Sequence, residues 1–137
     1  MRKIIVGISL IISCSFTYAQ TCPQPFNVYK VEGNKVIPVA PDGWNIYWKA
    51  NLDNTDVRFA YAGWTKTQLN PKVNKKMECV YGNPEYTSKG LILISTNKVD
   101  YKTFKDLPQW VYFPNEPIYG DKYYRCTAQS VEQCPFG

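Results

Sequence analysis

Trp44-Asn45-Ile46-Tyr47-Trp48-Lys49 alternates Trp, Ile and Trp with Asn, Tyr and Lys, the two-residue period of a β-strand with one heavy apolar face. A helix would space its apolar positions three and four apart. The period recurs in Val57-Arg58-Phe59-Ala60-Tyr61-Ala62, after a turn at 51–55. Upstream, residues 26–31 and 35–40 flank Glu32-Gly33-Asn34 and read as a hairpin. Downstream, residues 76–81 form a strand ending at Gly82-Asn83-Pro84, and 109–113 and 122–128 form the last two, separated by a loop at 114–120. Leu91-Ile92-Leu93-Ile94-Ser95 is expected to be the central buried strand. Residues 101–107 fit one short helical turn closed by Pro108. Ten prolines leave few stretches for a long helix, since an interior proline costs about 3 kcal/mol. The expected fold is all-β and mainly antiparallel: a compact, disulfide-stapled β-sandwich or partly open barrel with at most one short helix.

The N-terminus is read as an export signal over residues 1–19. Met1-Arg2-Lys3 is a basic start, residues 4–12 are an apolar run, and Thr17 and Ala19 place small residues before the cut. Removing 19 of 137 residues leaves a single β-rich domain at 20–137. No later apolar run approaches the roughly 18 residues of a transmembrane span. Cys14 also loosely fits the cysteine of a lipid-modified bacterial protein, so an anchored lipoprotein and a secreted protein stand as alternatives to the periplasm. After export, Cys22, Cys79, Cys126 and Cys134 suit two disulfides. Three connectivities are open. The favoured one is Cys22–Cys134, tying two Cys-Pro steps at the domain's ends, with Cys79–Cys126 joining two strands.

Composition narrows the chemistry. With no histidine there is no Ser-His-Asp triad, Cys-His pair or histidine metal ligand. Ser88, Ser95 and Ser130, the serines after the signal, lie outside any G-x-S-x-G setting. The carboxylates Asp42, Asp53, Asp56, Glu85 and Asp121 sit in turn-like contexts, where solvation is the simpler reading than a glycosidase pair. The reading is a protein that is not an enzyme and holds no cofactor and no metal. Without Arg2 and Lys3, 14 basic residues face 11 acidic ones. That +3 gives little drive for nucleic-acid binding.

Aromatic residues are abundant, with four tryptophans, Trp44, Trp48, Trp64 and Trp110. Such rings can fill a small β core or form a stacking platform. Tyr86, Tyr119 and Tyr123 lie beside polar or turn residues and are the surface candidates for partner binding. The polar stretch 65–76, interrupted by Asn70-Pro71, is the expected long loop, and its Lys72, Lys75 and Lys76 could meet an acidic partner.

Cys22-Pro23, Gly43-Trp44, Cys79-x-Tyr81, Cys126 and Cys134-Pro135-Phe136 together resemble the small exported proteins of intracellular gammaproteobacteria such as Legionella and Coxiella. One branch of that group is the type IV secretion system-associated EirA proteins. The resemblance implies a protein partner in the bacterial envelope and a periplasmic accessory role, and it carries over no catalytic or ligand residue. A lysozyme or hydrolase inhibitor and a carbohydrate-binding module are the alternative functions.

Overall fold

The computed structural model describes residues 20–53, 57–82, 90–114 and 122–137. The signal segment with Cys14, and the positions Tyr86 and Tyr119, lie outside them. A hairpin comes first, β1 (Tyr29–Glu32) and β2 (Lys35–Pro38), with Glu32 opposite Lys35. Its two-residue turn puts Gly33 at φ 62°, a conformation that suits the twist of paired strands and that glycine adopts without a Cβ clash. The remaining strands are β3 (Trp44–Lys49), β4 (Phe59–Lys66), β5 (Lys76–Tyr81), β6 (Leu91–Lys98), β7 (Val111–Tyr112) and β8 (Lys122–Thr127). They form one antiparallel sheet in the order β3-β6-β5-β4-β8-β7. The helical pieces among the described residues are 3-10 turns, including Tyr101–Thr103 where the sequence suggests a helical turn. The all-β, mainly antiparallel, disulfide-stapled class expected from the sequence is the class observed.

Alternation along the strands divides this sheet into two faces. Ala62 and Trp64 of β4, Met77, Cys79 and Tyr81 of β5, Leu91 and Leu93 of β6, and Tyr124 and Cys126 of β8 share the inner face and are buried. Three irregular segments and the hairpin cover it. Tyr81 donates its hydroxyl to the Pro23 carbonyl at 2.5 Å, the Trp64 indole donates to Val99 O at 2.8 Å, and the Trp110 indole donates to Pro135 O at 2.9 Å. Each buried ring thus keeps its polar end satisfied, without which burial would carry a desolvation cost. Phe104 packs edge-on to Trp64 and Tyr124, and Tyr29 and Val36 of the hairpin pack against the same cluster.

Four expectations need correction. The disulfides are Cys22–Cys79 and Cys126–Cys134, not Cys22–Cys134 and Cys79–Cys126. Cys79 and Cys126 both stand opposite Ala62, on the two flanking strands. Two strand spacings separate them, about 9.6 Å, beyond the roughly 7 Å that a disulfide spans. The ends of the domain are tied as expected, but by backbone: Gln20 N donates to Phe136 O at 2.6 Å and Phe136 N to Gln20 O at 2.8 Å. Second, the run at Leu91 is not central. β6 lies between edge strand β3 and β5, and the run is apolar throughout because Ile94, on the other face, is buried too. Third, Trp44, Ile46 and Trp48 do not share one face. A register shift after Ile46 sets Trp48 opposite Ile92 and turns it to the outer face. Fourth, Tyr123 is not a surface residue: it is 2% exposed.

Candidate functional site

The segment from Thr67 to Lys75 joins β4 to β5, within the stretch 65–76 expected from its composition to be a long polar loop. Its hydrogen bonds make it stiff. Asn74 Oδ1 accepts from Thr67 N at 2.9 Å, Thr67 Oγ1 from Leu69 N at 3.0 Å, and Asn70 Oδ1 from Lys72 N at 3.0 Å. These are Asn and Thr side chains doing what they do in turns, taking up main-chain donors locally. Lys75 has φ 60°, uncommon outside glycine, and two main-chain bonds hold it there: Lys75 N to Thr65 O and Val99 N to Lys75 O, both 2.7 Å. Asn70 Nδ2 donates to the Tyr47 hydroxyl at 3.0 Å and so ties the loop to edge strand β3.

On this frame stands Leu69, 81% exposed. Lys72 and Lys75 are exposed on the same loop, whereas Lys76 is half-buried at the start of β5. Tyr47 and Trp48 add exposed aromatic surface on β3. Of the residues singled out from sequence, the structure therefore brings Lys72, Lys75 and Lys76 together. It sets Tyr123 apart, inside the sheet's outer face. Leu69 and Tyr47 are the residues that sequence reasoning missed. The signal for Leu69 was an apolar side chain in a mostly polar stretch, and for Tyr47 its place with Asn45 and Lys49 on the polar side of the alternation.

Behind the loop, the outer face carries an unusual set of polar groups. Gly63 of β4 has no side chain, and around it lie Glu78, Tyr123, Arg125 and Tyr61. A Cβ built at Gly63 would meet the Tyr123 hydroxyl at 3.2 Å and Glu78 Oε2 at 3.6 Å. Arg125 Nε donates to the Tyr123 hydroxyl at 2.8 Å while its guanidinium lies 4.0 Å from the Tyr61 ring centre. Burial pushes the Glu78 carboxyl above the usual carboxylate range, and the charge of Arg125 partly opposes that. A cavity of about 190 Å³ opens beside Glu78, lined also by Tyr47, Thr65, Thr67, Leu69, Asn70 and Val73.

No family model matches the chain, and neither a curated protein nor a solved structure matches it. Its site is thus read from its own geometry. A larger cavity, about 520 Å³, lies where residues 20–21 and Gly137 meet Trp44 and Asp100. Asp100 there accepts from Lys102 N at 3.0 Å, as the cap of a 3-10 turn. That carboxylate is structural. The tryptophans form no common platform either, since Trp64 and Trp110 are buried in the core.

Proposed function

We propose that this chain is a non-catalytic protein of the bacterial periplasm that acts by binding a protein partner through the 67–75 loop and the adjoining edge of β3. The observation that carries the reading is Leu69, an apolar side chain held in solvent on a loop whose turns are fixed by internal hydrogen bonds. Exposing a leucine on a stiff frame offers an apolar contact that loses little entropy on docking. Lys72 and Lys75 beside it favour an acidic partner and speed encounter with one. Two disulfides fit an oxidising compartment, and among the described residues no helix is long and apolar enough to cross a membrane. The resemblance to EirA-type proteins supports an accessory role in type IV secretion.

A photo-activated cross-linking residue at position 69, in living cells, tests the interface. The expected result is one discrete envelope adduct, abolished by Lys72→Glu with Lys75→Glu, together with impaired effector delivery in a deletion strain. The same residue at Phe26, 69% exposed on another part of the surface, should give no such adduct. Equal labelling from both positions would defeat the interface. Unaltered effector delivery would remove the secretion setting, and inhibition in a lysozyme turbidity assay would replace it with the inhibitor reading.

A further inference from the structure

Two polar side chains of the outer face, the buried Thr65 and the half-buried Glu78, make no hydrogen bond among the described residues, and both line the same cavity. Thr65 is 6% exposed, and its hydroxyl makes no hydrogen bond among the described residues. The Glu78 carboxylate makes no hydrogen bond and no close ion pair among the described residues, though the Arg125 charge acts on it from across Gly63; the ion pairs found there are Lys30–Glu32 and Lys105–Asp106. Such groups cost free energy when left unmet, and each asks for an explanation. The cavity between them holds about 190 Å³, several times the roughly 30 Å³ share of one water.

The lining has a definite polarity. Glu78, Thr65 and Thr67 offer oxygen acceptors, whereas Leu69, Val73 and the Tyr47 ring are apolar or aromatic. Thr67 Oγ1 already accepts from Leu69 N and keeps a further lone pair. A carboxylate disfavours an anion. A hard divalent cation would want six or more oxygens, and the described residues hold no group of three acidic, Cys or His side chains. A primary ammonium needs three acceptors, and its alkyl stem would occupy the apolar side.

We propose that the Glu78 cavity is a binding site for a primary alkylammonium group, whether a free amine or a lysine side chain. The ammonium bonds to Glu78, Thr65 and Thr67, and its stem lies along Leu69, Val73 and Tyr47. Such binding gives the buried Thr65 hydroxyl a partner and sets a cation against the half-buried Glu78 carboxylate. The site stands independently of the partner reading, since a free amine reaches it without any protein on the loop.

Titration of the oxidised chain from residue 20, followed by amide NMR shifts, tests it with n-butylammonium chloride, Nα-acetyl-lysine amide and, as the uncharged counterpart, n-butanol, all at matched ionic strength. Saturable shifts confined to Thr65, Thr67, Leu69, Asn70 and Glu78 are expected with both amines and not with butanol. Tighter binding of the lysine derivative would assign the natural source to a peptide; tighter binding of butylammonium would assign it to a free amine. Glu78→Gln should weaken binding at least tenfold and Thr65→Val several-fold. No saturable shift, equal response to butanol, or unchanged affinity in both variants would overturn the site.

Discussion

The two faces of the six-stranded sheet are built from alternate residues of the same strands, yet they are finished differently. On the inner face, Trp64, Tyr81 and Trp110 each deliver their polar atom to a named carbonyl, and both disulfides pin covering segments in place. On the outer face, Thr65 is buried with no hydrogen bond to its hydroxyl among the described residues, and the half-buried Glu78 lines the same cavity, beneath a stiff loop that exposes a leucine. One face spends its side chains on stability. The other keeps polar groups in places where stability alone would not put them, as the proposed binding surface requires.

The sharpest test of that contrast is truncation on the inner face. Trp64→Ala should cost about 3–5 kcal/mol in denaturant unfolding, because the indole touches Tyr101, Phe104 and Tyr124 and its N–H partner Val99 O would be orphaned. A loss under about 1 kcal/mol would show that this face is not the core. The disulfides should rank next and differ from each other. Cys22 and Cys79 are 57 residues apart and Cys126 and Cys134 only 8. Chain entropy then gives about 4 kcal/mol for the first and about 2.5 kcal/mol for the second. Peptide mapping of the non-reduced protein should return the 22–79 and 126–134 pairs; a 79–126 peptide would contradict the strand order itself.

On the outer face the sign should reverse. The Glu78 carboxyl is raised in the folded chain above its ordinary value of 4.5, so the native state binds the proton more tightly than the unfolded state. Its contribution to stability is therefore lost as pH rises through the raised value. Glu78→Gln should stabilise the protein at pH 7 in denaturant unfolding, with the gain shrinking as pH falls to the ordinary carboxylate value of 4.5. Destabilisation at pH 7 would mean that the carboxylate has a structural partner.

How far the sequence carried varies by element, and for physical reasons. The bounds of β5 are legible to the residue, because Lys76–Tyr81 alternates and Gly82 ends it. β6 extends three polar residues past the apolar run, to Lys98, since its last pairing is with Lys76 and no local pattern reports that. β7 shrinks to Val111–Tyr112 because only those two pair with β8. Strand order, and with it the disulfide pairing, depends on long-range register and could not be read locally. Lys72 and Lys75 were legible as exposed loop cations. Tyr123 was misread because turn-rich neighbours suggested a surface position, whereas pairing with β4 buries it. Nothing in the sequence singled out Glu78, because only strand pairing sets it opposite Gly63 and near Arg125.

The central claim is that binding and stability reside on separate surfaces, and a triple variant, Leu69→Asp with Lys72→Glu and Lys75→Glu, tests it in one preparation. Its thermal unfolding and the recovery of the cross-linked envelope adduct, reported from a photo-activated residue at Tyr47, should be measured side by side. The account predicts stability within about 0.5 kcal/mol of the parent chain, as for exposed substitutions, with the adduct lost. An unfolded variant, or a stable one that still forms the adduct, would contradict it.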